Sequence, residues 1–559
     1  MRPLHALTLV AVVFLLYANI LPNPFVWDDN IFILQNQFIR DWKSLPSLFK
    51  SEFFSKSQAE SSFKEGGYYR PLVMVLYTIE YQVWGEHPSG YHLTSILLHL
   101  LNVFLVYFLI QKLFQHQTIS FIGSLLFASH PLHTEAVSYL PSRGDLLATL
   151  FCLASFLSYR STKQFLKRFS PFLFAMGLLS KESVAVFPLL LSVFDACFPA
   201  QKDQKRWASL SLHWLVLVFY LMLRFLLFPF RLTSWMTHSP GLVFRILSMG
   251  KLLISYLALL LFPYPLHLER SVPFQSTFWD MGTVLFLSGG FGAFLLCKFL
   301  WEENRQLFFG IVWFLITLLP VSNIIPIHPS MAEHYLYFPS IGLFAVLSFS
   351  VNKLFLKTQK EIFKKTLFVF GFLIFACYAT LLTHRNKDYS DDMRLFSQTL
   401  QYSPKNPLIH NNLGSVYFSR GFIEEAKREF EISLSLNPHQ PMVWTNLGTL
   451  YRESKHYEKA IHLLRRALGQ TGDNAVIWNK LGVAYAESGE EEAVSAFRKA
   501  IALDPTYADA YFNLGSYYWK KGELTKTASL WEEGLRRNPN HPGLKKWLPR
   551  LKGKMSQER

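Results

Sequence analysis

Cysteine is scarce: the 559 residues hold four, Cys152, Cys197, Cys297 and Cys377, all in or beside apolar runs and none in a CxxC or Cys/His ligand spacing. The sequence therefore offers no disulfide framework and no cysteine-based zinc site. Charge is scarce too, at 17% of residues, and up to about residue 385 many of the basic residues sit in short clusters between apolar runs. No small-residue cleavage site follows the first apolar run, 4 to 21. Pro22-Asn23-Pro24 comes next, so this run is expected to remain as a first span and not to leave as a signal peptide. No KDEL-type tetrapeptide stands at Gln557-Glu558-Arg559.

What the chain has is hydrophobicity, at 51% of residues with 52 Phe, and a formal net charge of +16. The averages hide two populations. Before about residue 385 the sequence is a series of apolar runs; after Pro404 it is a charged, helix-forming sequence punctuated by Gly and Pro. The positive charge would fit nucleic-acid binding if it were gathered on one surface. Many of the basic residues sit instead between apolar runs, at Arg160, Lys163, Lys167 and Arg168, at Lys202, Lys205 and Arg206, and at Lys353, Lys357, Lys360, Lys364 and Lys365. That is the pattern of cytoplasmic loops under the positive-inside rule, and no nucleic-acid partner is expected.

Runs long enough to span a bilayer lie near 4 to 21, 91 to 114, 118 to 138, 144 to 159, 208 to 228, 242 to 263, 281 to 299, 307 to 326, 339 to 355 and 366 to 383. Residues 170 to 198 read as two short spans turning at Lys181-Glu182. The expected fold is all-α: a polytopic bundle over 1–385 with eleven or thirteen spans and one misread segment near 229 to 280, a linker over 386–403, a repeat array over 404–540 and a basic tail over 541–559. With the basic clusters inside, residues 22 to 90, residues 130 to 143 and the repeats fall on the opposite face, periplasmic or lumenal.

The repeats are the strongest periodicity. Gly414, Gly448, Gly482 and Gly515 are each preceded by Leu and followed three residues later by Tyr417, Tyr451, Tyr485 and Tyr518. Small residues follow at Ala426, Ala460 and Ala493, and Pro438, Pro505 and Pro539 end units. This resembles the tetratricopeptide repeat, a helix-turn-helix unit whose stacked concave face commonly takes extended peptide. The first unit has His410 where an aromatic is usual, and the second ends with Gly472 in place of Pro.

Ionisable residues at membrane spans are costly and so are functional candidates. Asp28 and Asp29 open the first external loop, where they fit a general base, a seat for a divalent ion or acceptor hydroxyl, or a solvated helix N-cap. His130, His133, Glu135, Arg143 and Asp145 crowd the second loop and suit a phosphate-linked substrate presented from the bilayer. His130 and His133 lack a second anchoring pair of clear spacing for zinc. Further polar islands are Tyr68-Tyr69-Arg70-Pro71, Glu86-His87 with His92 and His99, Lys181-Glu182, His267-Glu269-Arg270 and Glu333-His334-Tyr335. Any one of them also fits an interfacial anchor.

Several of these segments carry a family resemblance. The WDD at Trp27 to Asp29, YRPL from Tyr69, HPLHTEAVSYLPSRGDLLATLF from His130, LLSKE ending at Glu182, PVSNIIP from Pro320 and MAEHYLYFPSIG from Met331 resemble the transmembrane and tetratricopeptide-repeat-containing (TMTC) family, in the same order of membrane domain then repeats. The resemblance implies a GT-C-class glycosyltransferase that moves mannose from a dolichyl- or polyprenyl-phosphate donor to Ser or Thr hydroxyls, with the repeats binding the acceptor polypeptide. It implies Asp28 or Asp29 as base, and Arg70, His130, His133, Glu135, Arg143, Asp145, Lys181, Glu182, Glu333 and His334 around donor and acceptor. No cofactor is required by it, and a divalent cation stays open. Both a bacterial inner membrane and an endoplasmic reticulum membrane fit. The competing class is a non-catalytic membrane anchor for a repeat scaffold. A transporter fits less well, because the charges gather at one face instead of lining a midplane path.

Overall fold

Proline sets the start of many helices here, because its fixed φ suits the first turn and its missing N–H would be unpaired there anyway. Helices open at Pro3, Pro71, Pro88, Pro407 and Pro441 in this way. The computed structural model of the protein describes residues 1–50, 68–199, 205–227, 240–270, 272, 274, 277–326, 330–539 and 541–557. Two compact units result, Met1–Tyr402 and Ser403–Arg559. The described residues are helical throughout, apart from loops and one antiparallel bridge between Arg270 and Met331.

The first unit contains, among the described residues, eight helices long and apolar enough to cross a membrane: Pro3–Ile20, Pro88–Phe114, Leu140–Tyr159, Ala208–Leu227, Leu242–Leu261, Met281–Glu303, Ser340–Lys357 and Glu361–Asp388. Two shorter apolar helices, Gln117–Ser129 and Arg305–Val321, join them. Phe368, Phe370, Phe372 and Leu373 on Glu361–Asp388 are exposed. So are Val284, Leu287, Phe291 and Phe294 on Met281–Glu303. Apolar surface on this scale belongs against lipid, and the protein is a multi-pass membrane protein.

The expected runs shift at their ends. The run at 118 to 138 is helical only over Gln117–Ser129, because Pro131 follows and the chain turns through short helices before Arg143–Tyr159. The stretch 170 to 198 does break at the lysine: Gln164–Ser180 ends at Lys181, a short 3-10 turn covers Glu182–Val186, and Phe187–Cys197 continues. Lys202, residue 228 at the end of the run 208 to 228, and residues 229 to 239, 271, 273, 275 and 276 of the segment near 229 to 280 lie outside the described residues. The stretch expected as a linker, 386–403, is structured. The last long helix runs to Asp388, a second helix covers Asp392–Tyr402, and Tyr389 and Leu395 are buried with Val26, Tyr139 and Leu268.

The second unit is four antiparallel helix pairs, from Pro407–Ser419 with Ile423–Leu436 through Ala508–Lys520 with Leu524–Arg537. At Gly482 a Cβ would stand 2.7 Å from Phe497, and at Gly515 it would stand 2.3 Å from Trp531, so the repeated glycine lets the paired helices touch. Gly472 ends its helix at φ +71, a conformation open to Gly and closed to the Pro expected there. His410 replaces the usual aromatic and pairs with Glu429 at 2.6 Å. The basic tail is a further helix, Pro542–Gln557, whose Leu544, Leu548 and Leu551 close the end of the array.

Candidate active site

The chain breaks after its first span at Pro22 and Pro24 and turns sharply at Trp27, which adopts φ 51. This turn presents the acidic pair. Asp29 is fully buried, and its Oδ2 accepts from the Val26 N–H at 3.0 Å. Although it stands at the head of the short helix Asn30–Leu34, it makes no side-chain cap bond, so the pair is not a solvated N-cap. Asp28 keeps some exposure, and its Oδ2 accepts from the Tyr139 hydroxyl at 2.6 Å. Each carboxylate leaves Oδ1 buried without a protein hydrogen-bond partner. Burial raises Asp28 to about 6, against the lowering effect of the Tyr139 hydrogen bond, with the Asp392 charge adding to the rise. Burial also pushes Asp29 well above the usual carboxylate range.

Tyr139 ends the short helix that begins at Thr134, so the Asp28 contact brings the first loop against the second. One turn back, Glu135 accepts from the His334 backbone N–H at 3.0 Å and pairs with the His334 ring at 2.8 Å. Burial would raise Glu135, but His334 and Arg385 outweigh it and hold the carboxyl below its ordinary value. Glu333, next in chain, is fully buried between Arg270 and Arg385, each at 3.3 Å, and accepts from the His267 N–H at 2.6 Å. Arg385 also holds Asp388 at 3.0 Å. Glu269 sits in the same loop as His267 at φ +53, and burial with the charges of Glu135 and Asp28 raises it to about 8.

A second group of charges adjoins the first through Tyr335. The Lys181 ammonium lies 5.4 Å from the Tyr335 ring centroid and donates to both oxygens of Asp145, at 2.8 and 2.7 Å. Arg70 grips Glu182 with two hydrogen bonds, at 2.8 and 3.2 Å, and its guanidinium lies over the Tyr68 ring. Asp28, Glu135, Glu333 and His334 are therefore brought together, and Arg70, Asp145, Lys181 and Glu182 form the neighbouring group.

Three of the expected residues stand apart with their polar atoms occupied. Arg143 is fully buried and bonds Glu80, the Tyr91 carbonyl and, at 3.0 Å, Ser95. His130 lies 3.0 Å from the Leu260 carbonyl and accepts from the Leu132 N–H. His133 donates to the Phe127 carbonyl at 2.7 Å, with Ser340 Oγ on its other nitrogen. All three are tied up by protein partners, so they brace loops from inside. Among the described residues no three His, Cys, Asp or Glu side chains converge as a metal site.

Tyr139, Glu80, Arg385, Asp388 and Asp392 belong to these networks and do not stand out as candidates in the sequence. Arg385 and Asp388 carried a signal: an opposite-charge pair three apart at the end of an apolar run shares one helix face.

Comparison with known proteins follows this division. Residues 70–230 match the family described as dolichyl-phosphate-mannose-protein mannosyltransferase, and tetratricopeptide models match within 411–541. The mouse (Mus musculus) protein O-mannosyl-transferase TMTC3 is 27% identical over 76% of this chain and 50% of its own length. The human (Homo sapiens) TMTC4 is 28% identical over 74% of this chain and 63% of its own. Over about three quarters of its length the chain is similar to the TMTC proteins. It spans about half the length of the TMTC3 relatives. The crystal structure of the TPR protein YrrB aligns at TM-score 0.25 and 24% identity, covering 30% of this chain and 87% of that one. The acidic pair at Asp28 and Asp29 precedes the region matched to the mannosyltransferase family, whereas Arg70, Glu135, Asp145, Lys181 and Glu182 lie within it.

Proposed function

We propose that the membrane unit transfers mannose from a polyprenyl- or dolichyl-phosphate donor to Ser or Thr hydroxyls of a polypeptide on the periplasmic or lumenal face, and that the repeats engage that polypeptide. The observation that carries this reading is the state of Asp28. It is a carboxylate raised to about 6, oriented through one oxygen by Tyr139, with its other oxygen buried and unpartnered beside a dense charged network.

A lipid-phosphate sugar is already activated, so the protein needs a base, charge neutralisation at the leaving phosphate and alignment. Asp28 takes the proton of the acceptor hydroxyl while the hydroxyl oxygen forms its bond to the anomeric carbon. The bond from that carbon to the phosphate oxygen breaks, and the phosphate leaves with the electron pair. Arg70 and Lys181 are the cations assigned to it. Arg70 and Glu182 keep 15% and 40% side-chain exposure, so this pair is open to exchange a carboxylate for a phosphate. The fully buried Arg385–Glu333 pair instead supports the loop that carries His334.

The test is transfer of labelled mannose from polyprenyl-phosphate mannose to Ser/Thr peptides by the purified protein in lipid. Wild type should transfer, and Asp28→Asn should lose about 10²-fold or more with unchanged folding. A wild type that binds polypeptide but transfers nothing, from any polyprenyl-phosphate sugar offered, would leave the anchored-scaffold reading in its place.

A further inference from the structure

The helix Asp392–Tyr402 follows the last span and immediately precedes the repeat unit. At its start, Asp392 Oδ1 accepts from the backbone N–H of Trp27 at 2.6 Å, 365 positions away in sequence. Trp27 is the residue before Asp28 and the one in the left-handed conformation, which a non-glycine residue holds only when its surroundings impose it. Its indole stacks on Tyr139 at 5.4 Å and receives the edge of Phe396 at 5.7 Å. Tyr139, which also holds Asp28, stacks in turn on Tyr389 at 6.3 Å. At the helix's other end, Tyr402 stacks on His267 at 5.5 Å and bonds the Tyr264 hydroxyl at 3.1 Å, in the loop that carries Glu269. One short helix thus grips both the Asp28 turn and the Glu269 loop.

We propose that this helix is a clasp over the Asp28 turn and that Asp392 is a positioning residue for Asp28, acting through the Trp27 N–H. The proposal rests on the transferase reading for its consequence in catalysis, and on geometry alone for its consequence in structure. Asp392 touches no reacting atom. It fixes the turn from which Asp28 projects, while Tyr139 fixes the carboxylate itself. Asp29, Tyr139, Glu269 and Asp392 are the ionisable neighbours of Asp28, so the clasp also sets how much negative charge the base faces.

Two variants separate hydrogen-bond capture from general destabilisation. Asp392→Ala removes the acceptor; Asp392→Asn keeps an oxygen able to accept from Trp27 N–H. In the full-length protein in lipid, Asp392→Ala should lower kcat by about tenfold to a hundredfold, the scale of a misplaced catalytic group. The donor KM should not change, and Asp392→Asn should recover most of kcat. Hydrogen–deuterium exchange of the peptide spanning residues 25–31 should speed up in Asp392→Ala and stay slow in Asp392→Asn. Should Asp392→Ala fail to fold, Phe396→Leu, which thins the packing on Trp27, should show a smaller change in the same direction by both readouts.

Wild-type kcat in Asp392→Ala, or equal losses in the Ala and Asn variants, overturns the proposal. A wild type without transfer overturns the transferase reading instead. The exchange experiment then decides the clasp alone: faster exchange in Asp392→Ala sustains it, and no difference overturns it.

Discussion

Tyr139 and Asp28 lie 111 positions apart in sequence, and the tyrosine hydroxyl donates to Asp28 Oδ2 at 2.6 Å. This bond favours the charged carboxylate and works against burial, which is the larger effect and raises Asp28 to about 6. A base must be deprotonated to act, so the raised value places the working limb near pH 6. Transfer should be low at about pH 5 and rise toward neutrality. Tyr139→Phe removes the hydrogen bond that holds the value down, so the limb should move to higher pH by about one unit, equivalent to about 1.4 kcal/mol. Rate against pH in the two proteins checks this. A limb that stays in place in Tyr139→Phe would mean that another group sets it.

Arg143 and Glu80 form an ion pair with almost no exposure on either side chain. Breaking such a pair from one side leaves a buried charge without a partner and costs about 3–5 kcal/mol, whereas replacing both by apolar or neutral groups can be nearly neutral. Arg143→Leu should therefore express poorly and unfold at lower temperature, and adding Glu80→Gln should restore part of the loss. A donor-binding arginine would behave oppositely, with normal folding and a raised donor KM. Thermal unfolding in detergent, paired with donor KM, distinguishes the two.

The repeats and most spans were legible because each is written in a local period: 34-residue recurrence of Gly414, Gly448 and Gly482, and runs of about twenty apolar residues. Asp28, Glu135, Glu333 and His334 were legible because charge next to lipid is expensive, and the structure brings these four together. Which charges are satisfied internally was not legible. Arg143 and His133 look as functional as Glu135 in the string from His130, yet their partners, Glu80, Ser95 and Ser340, come from other helices. The role of 386–403 was hidden for the same reason. Tyr389, Asp392 and Phe396 are ordinary residues after a span until the fold sets them against Trp27 and Tyr139.

In the repeats, Gly482 faces Phe497 so closely that any side chain would overlap the ring. Gly482→Val adds branched bulk at that contact and should destabilise the array by about 1–3 kcal/mol, as overpacking does. Gly553, with open space around its Cβ direction, is the matched control, and Gly553→Val should carry no such overpacking cost. Limited proteolysis of residues 403–559 in the full-length protein reports the difference. Equal resistance in the two variants would mean that the helix pair can spread without loss.

Arg70 meets Glu182 through two parallel hydrogen bonds, a geometry that a guanidinium provides and an ammonium does not. If the same fork receives the leaving phosphate, Arg70→Lys keeps the charge and loses the fork. It should raise the donor KM and lower kcat, because charge on the phosphate grows as the sugar bond breaks. Arg70→Gln should be worse on both, by on the order of 10-fold or more in kcat/KM. Glu182→Gln frees the fork without removing it and should leave the donor KM equal or lower. The sign at Glu182 is decisive, since a purely structural ion pair would lose stability from either side and would give no lower donor KM when its carboxylate is neutralised.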